Sequence, residues 1–281
     1  MGKPLGMRGR TLGPLLCLTV ACGVLPASVD AQQAIRIDGS TGTAPLVRAL
    51  GKAFEAGSGS RIDVGGGLGT KARFEALAGG KIDIAMASHG LKVGDIEKRG
   101  MRVYRIATTP VVFGVHKSVT AASLSDAQIC GIYRGTVRNW KDVGGSDLAV
   151  VAMTRPDSEV DAEVARAGVA CLKALKFPDS VQVQNKSGDM AKALARTVGA
   201  IGMTTTTVVA QSAGALRTVT LNGIAPTGPN VLSDRYRLVR DAFLVTPGAP
   251  SPAVQAFIAF VSSGSGAQVI ESNGAIAVSP R

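Results

Sequence analysis

The sequence predicts an α/β chain of two lobes, each a mainly parallel sheet flanked by helices. Three observations predict it. Short β-rich runs alternate with amphipathic helical stretches, and the strand-to-helix junctions are polar Gly/Ser/Thr turns. An almost continuous apolar run at 111–115 then separates a first α/β set from a second.

The elements follow in order. Ile35-Arg36-Ile37 reads as a strand, and Asp38-Gly39-Ser40-Thr41-Gly42-Thr43 as a polar turn. The next helix carries Leu46, Leu50 and Phe54 on one face at i, i+4, i+8. A strand at 61–64 runs into Gly65-Gly66-Gly67-Leu68-Gly69-Thr70, then a helix bearing Phe74 and Leu77, then a strand at 82–86. This strand–loop–helix order implies a parallel sheet. Run 111–115 suits a buried strand leaving the first lobe. The second set holds a helix at 125–133, a strand at 148–152 and a long helix at 158–176, striped by Val160, Val164, Cys171, Leu172 and Leu175. Strands at 200–203 and 216–221 come next, followed by a strand at 243–245 and a helix at 251–261 with Val254, Phe257, Ile258 and Val261. No internal repeat is visible.

Composition supports a folded, exported chain. Of 281 residues 46% are hydrophobic, ample for a core, while 4% aromatics leave that core to Ala, Val, Leu and Ile. The 35 glycines are too scattered for a collagen-like or linker chain. Residues 1–31 read as a signal peptide: Lys3, Arg8 and Arg10 form a basic head, 11–25 an apolar stretch, and Val29-Asp30-Ala31 a small-residue site with cleavage after Ala31. The alternative is lipidation on Cys22, within Val20-Ala21-Cys22-Gly23. The apolar stretch is too short and too broken by Gly and Pro for a comfortable membrane span. Loss of the leader removes three Lys/Arg and one Asp, leaving 28 basic against 19 acidic groups, a net +9. That excess reads as a solvated basic surface. Nucleic acid would call for clustered Lys/Arg with aromatic platforms, whereas the basic residues are dispersed among eleven aromatics. Cys130 and Cys171 are either a disulfide, as an oxidising compartment favours, or two buried thiols. With His89 and His116 the only histidines, no metal site is expected, nor any cofactor.

Chemistry enters at the loops. A Gly/Ser/Thr turn before a helix presents free N–H groups and the positive end of the helix dipole, which suits an anion. Loops 39–43 and 65–70 are both of this kind. Ligands of open α/β sheets bind at the carboxyl edge, where two such loops would meet. The same turns also cap helices for purely structural reasons.

Several segments carry a family resemblance. Ile37-Asp38-Gly39-Ser40-Thr41-Gly42-Thr43-Ala44-Pro45-Leu46, the Gly65–Thr70 loop and Asp83-Ile84-Ala85-Met86-Ala87-Ser88-His89 resemble three ligand-loop segments. The most specific match is Ile132-Tyr133-Arg134-Gly135-Thr136-Val137-Arg138-Asn139-Trp140-Lys141-Asp142-Val143-Gly144-Gly145. It resembles a segment of the phosphate-binding proteins of bacterial phosphate ABC transporters. Gly199-Ala200-Ile201-Gly202 and Gly223-Ile224-Ala225-Pro226 through Tyr236-Arg237-Leu238 continue the likeness. The resemblance implies a two-lobed periplasmic-binding-protein fold with the ligand in the cleft between lobes. Residues 32–108 plus 219–281 would form the first, discontinuous lobe and 109–218 the second. It also implies a periplasmic monomer that hands phosphate or a related oxyanion to an ABC permease in the inner membrane. Thr43 and Ala44 match first-loop ligands, and Arg155 the arginine that pairs with the anion. Gly69 and Thr70 would add N–H groups, with Ser88 and Lys71 as secondary contacts; for Lys71 a solvated lysine is the more common fate.

The sequence also departs from that pattern. Leu68 replaces a ligating Ser, and Ser88-His89 occupies the stretch where an Asp is usual. After Arg155, Asp157-Ser158-Glu159-Val160-Asp161 stands where a Ser, a Gly and a Thr would donate hydrogen bonds. Like charges about 4 Å apart repel by about 4 kcal/mol at an effective dielectric near 20, so an oxyanion site would require Glu159 to turn outward. Alternatively Ser158 is an N-cap, with Asp161 closing an approximate capping box. The oxyanion carrier is the leading reading. The second keeps the fold with an altered pocket, for another solute or as a sensor or assembly partner. No catalytic residues are expected, because no nucleophile–base pair or metal spacing is visible.

Overall fold

Alternation shapes the first strand: in β1 (Ile35–Gly39) the two isoleucines are buried while Arg36 and Asp38 are half-buried. A computed structural model describes residues 1–4, 6, 9 and 34–278. The chain divides into units Met1–Gln32 and Gln33–Arg281, and all that follows concerns the second. The expected cut after Ala31 and the alternative lipid site at Cys22 lie outside the described residues. Among the described residues no single helix is long and apolar enough to cross a membrane.

The first lobe continues with α1 (Ala44–Ser58), β2 (Ile62–Val64), α2 (Thr70–Ala78), β3 (Ile84–Ser88) and α3 (Val93–Glu97). Strand β1 pairs in parallel with both β2 and β3. Pro45 sits in the first turn of α1, where a missing N–H breaks no helical bond. Leu46, Val47, Leu50 and Phe54 then bury one face of that helix.

Strand β4 (Met101–His116) joins the lobes, and every residue from 106 to 116 is buried. Its first half pairs antiparallel with β11 (Val239–Pro247), as in Tyr104 opposite Leu244. Its second half pairs antiparallel with β8 (Ala200–Thr205), as in Phe113 opposite Met203. Pro110, which lacks a ladder donor, stands where the partner changes. The Val111 N–H bonds the Leu238 carbonyl there, and Tyr236 Oη donates to the Val111 carbonyl at 2.7 Å.

Between the two halves run β5 (Ser123–Leu124), α4 (Asp126–Arg134), β6 (Val151–Thr154), α5 (Val160–Gly168), β7 (Gln182–Val183), α6 (Ser187–Arg196), α7 (Thr206–Ala210), β9 (Leu216–Thr218), β10 (Thr220–Leu221) and α8 (Gly228–Leu232). After β11, helices α9 (Pro252–Val261) and α10 (Gly264–Ser272) and strand β12 (Ile276–Ala277) complete the chain. The path β2-β1-β3-β11-β4-β8-β6-β7 thus runs from one lobe into the other.

The cores separate accordingly. Ile37, Leu50, Met86, Leu244 and Phe257 share one, with Phe74, Ala85 and Val245 on the other face of the same sheet. Val111–Val115 residues, Ile129, Tyr133, Trp140 and Leu172 share the other. Val219, Leu221, Tyr236 and Leu238, expected in the first lobe, pack in this second core. The chain therefore returns to the first lobe near Val239, later than 219.

Other expectations shift. The long helix at 158–176 ends at Gly168, because Val169 is extended (φ −111°, ψ 99°) and only a 3-10 turn, Ala170–Leu172, follows. Arg166 anchors this break, donating to the carbonyls of Leu172 and Leu175 at 2.5 and 2.9 Å and stacking on Phe177 at 4.1 Å. The strand expected at 216–221 divides at Val219, since β9 pairs with β4 and β10 with β5.

Cys130 and Cys171 are bridged, with Cα atoms 6.1 Å apart and 41 residues of separation. A loop of that size confers about 3–4 kcal/mol through restriction of the unfolded chain. The double Cys130→Ser, Cys171→Ser variant should lose about that much in urea denaturation; an unchanged midpoint would contradict the bridge's role.

Candidate functional site

Three strands end at one place. Strand β1 runs into loop 40–43, β3 ends at Ser88, and β6 runs into Arg155, and the carboxyl edge of an open α/β sheet is where ligands bind. Tyr133 Oη donates to the Met153 carbonyl at 2.9 Å, fixing the end of β6 beside Arg155. Burial pushes that phenol, and Tyr236, well above the usual tyrosine range.

The two glycine-containing loops are stitched together by Asp38. Its Oδ1 accepts from the N–H groups of Gly39 (2.6 Å) and Gly67 (2.9 Å), and Leu68 N–H bonds the Gly39 carbonyl at 3.0 Å. Gly39 has φ +140°, and a Cβ there would lie 2.2 Å from the Met86 carbonyl oxygen. Gly42 is required for another reason: a Cβ would stand 2.2 Å from Arg240 Nη1. The loop is kept bare so that a guanidinium can pass over it.

That guanidinium joins the lobes. Arg240, on β11, donates from Nη1 to Asp161 Oδ1 at 2.6 Å and from Nη2 to Thr43 Oγ at 3.4 Å. Both charged side chains are 4% exposed. Thr43 Oγ donates in turn to the Ala87 carbonyl at 3.2 Å.

A second ion pair stands at the foot of the same helix. Arg155 Nη2 meets Glu159 Oε2 at 2.5 Å, and Nη1 donates to Ser187 Oγ at 3.0 Å. Arg73, buried on the first turns of α2, donates to the Met86 carbonyl (2.9 Å) and Thr70 Oγ (2.7 Å). Burial holds its guanidinium below the usual arginine range, and the charge of Glu159 opposes that shift from the other lobe. Lys186 Nζ also crosses, to the Gly66 carbonyl at 3.3 Å.

The expected site residues therefore divide. Thr43, Thr70 and Arg155 belong to this network, and Gly69 caps α2 beside it. The Ala44 N–H, expected to be free, donates to the Ser40 carbonyl at 3.2 Å because it closes the first helical turn. Ser88 Oγ donates to the Asp241 carbonyl at 3.3 Å. Lys71 is not a cleft contact: its side chain is 91% exposed and pairs with Glu75 one turn along. Glu159 does not turn outward but toward Arg155, since a fully buried guanidinium attracts the nearest carboxylate. Nor is Ser158 the N-cap; Glu159 holds that position, with no side-chain cap.

Sequence reasoning missed Arg73, Ser187 and Arg240. Arg240 had a weak signal: with Asp241 it leads the apolar run Ala242-Phe243-Leu244-Val245, and the strand alternation buries Arg240 while leaving Asp241 half-buried. Pockets of about 510 and 200 Å3 open elsewhere on the first lobe, around Tyr104 and Pro250 and around Lys52 and Ile62, and include no residue of this network. Among the described residues no group of three or more His, Cys, Asp or Glu could hold a metal.

Two α/β lobes sharing one continuous strand, with strand-end loops and buried guanidinium groups meeting between them, define a solute-binding clamp. The chain belongs to the PBP superfamily domain family, whose profile matches residues 26–265. It is 22% identical to the phosphate-binding protein PstS of Bacillus subtilis over 83% of this chain and 76% of that one. To PstS of Borreliella burgdorferi it is 21% identical, over 89% and 91%. Among solved structures it is similar to a Clostridium perfringens protein described as a phosphate ABC transporter substrate-binding protein with bound phosphate. That likeness has a TM-score of 0.70 at 25% identity, over 88% of this chain and all of that one. A Neisseria meningitidis OxyR structure shares the fold at 10% identity and a TM-score of 0.53, over 87% of this chain and 98% of that one.

The buried Asp161–Arg240 pair gives a test. Asp161→Asn leaves a desolvated guanidinium without its anion and should cost about 3–5 kcal/mol, read by urea denaturation. Adding Arg240→Met should recover part of that loss; a single variant as stable as wild type would show the pair to be dispensable.

Proposed function

We propose that this chain is an exported solute-binding protein that captures phosphate or a related small oxyanion between its lobes and delivers it to an ABC permease. One observation carries the reading: Arg155, fully buried, stands at the carboxyl end of β6 and shares the charge of Glu159 with Arg73, which donates to the Met86 carbonyl of β3. Charge-assisted bonds from arginine are the strong contacts in an oxyanion site. The N-terminus of α2 at Gly69 and Thr70, with Thr43 on the other side, would supply further donors. The relatives named phosphate-binding proteins support the ligand class, and the expected leader supports a periplasmic location.

Binding here requires no chemistry, so the reading is of a carrier rather than an enzyme. The two lobes would hinge where β4 changes partner near Pro110 and where the chain returns at Val239. Calorimetric titration of the purified protein with phosphate, arsenate and sulfate tests the reading. Phosphate or arsenate should bind, and Arg155→Ala should abolish the heat. If that variant bound phosphate as tightly as wild type, Arg155 would not be the anion's partner.

A further inference from the structure

We propose that Glu159 is a built-in counter-anion of the cleft, which holds Arg155 and which an incoming oxyanion must displace. This rests on the oxyanion reading above and adds what sets affinity and specificity at that site. Glu159 and Asp161 stand two residues apart at the start of α5, where the resembling family would place hydroxyl donors. Both have become carboxylates bonded to a cleft arginine.

Burial separates their roles. Asp161 and Arg240 are both 4% exposed, and that pair has no route to water without opening the lobes. The Glu159 side chain is 39% exposed, whereas its partner Arg155 is 0% exposed. Glu159 can therefore leave for solvent at little cost, while Arg155 cannot. Among the described residues the guanidinium keeps only Ser187 as a further partner, and its Nε has none. A desolvated guanidinium does not stand alone, so release of Glu159 has to be matched by another anion.

The charge balance favours exchange over addition. Glu159 is the shared anion of Arg155, which it bonds, and Arg73, whose charge it supports across the cleft. Arg73 likewise has an unpartnered buried Nε. With Glu159 in place the two guanidinium groups carry a net single positive charge. A dianion binding beside the carboxylate would meet its repulsion, on the order of a thousandfold in affinity for each pair of unit charges about 4 Å apart at an effective dielectric near 20. Partial exposure screens part of that. A dianion that replaces Glu159 instead neutralises both arginines. The carboxylate thus sets a threshold, which a dianion such as hydrogen phosphate overcomes better than a singly charged or poorly chelating anion.

The experiment is calorimetric titration of inorganic phosphate into wild type, Glu159→Gln and Glu159→Ala, with thermal melts confirming that each is folded. Both variants should bind phosphate at least tenfold more tightly than wild type. If wild type binds phosphate and both variants bind it equally or more weakly, the counter-anion role is overturned and the oxyanion reading stands. If neither wild type nor either variant binds phosphate, the oxyanion reading itself fails and the proposal with it. A crystal structure of the phosphate complex gives a readout independent of the variants. Glu159 should have left Arg155; a carboxylate still bonded to that guanidinium beside bound phosphate would also overturn the proposal.

Discussion

A guanidinium removed from water must be given an anion or a full set of acceptors, and this constraint governs the space between the lobes. Arg73, Arg155 and Arg240 are all buried there, each less than one-tenth exposed. Two are met by carboxylates of the N-terminal turn of α5, and the third by a backbone carbonyl, a threonine hydroxyl and the field of Glu159. One short helix start thereby serves cations from both lobes. Acidic side chains are at home there, since the helix dipole is positive at its N-terminus. What holds α5 in place also holds the lobes together.

Topology brings these groups into reach. Because β4 runs unbroken from one sheet into the other, the lobes are related by one strand rather than by a flexible linker. Strand β11 returns beside it, which puts Arg240 opposite Thr109, at the point where the sheets part. From there its side chain spans loop 40–43 and α5 together, and Gly42 leaves it room. The buried network is a consequence of where two strands cross.

Much of the first lobe was legible because its signals are local. Alternation in Ile35-Arg36-Ile37, the i, i+4, i+8 stripe of α1 and the glycine loop before α2 each depend on a few neighbouring residues. The end of α5 was not legible, because Val169 breaks the helix while the apolar stripe continues through Leu172 and Leu175. Its arrest depends on Arg166 reaching carbonyls six and nine residues away. In the network between the lobes, Thr43 and Arg155 are positions the motifs single out, while the role of Arg240 depends on a contact 79 residues distant in sequence. The direction of Glu159 was left open by the sequence for a physical reason. Repulsion between it and an absent ligand was weighed, but attraction to the neighbouring Arg155 was not.

That attraction changes what binding means in this cleft. Where hydroxyl donors flank an arginine, an arriving oxyanion adds its bonds to a site already short of acceptors. With carboxylates in those positions, the arginine bonds exist beforehand, and an oxyanion contributes only the difference between its own bonds and those it replaces. For Asp161 the exchange would expose a wholly buried pair, so that carboxylate belongs to the scaffold. For Glu159 the replaced bond is regained in part from water, so the difference can favour the ligand. The same two-residue change from donors to acceptors therefore yields one fixed strut and one exchangeable anion, and burial alone distinguishes them.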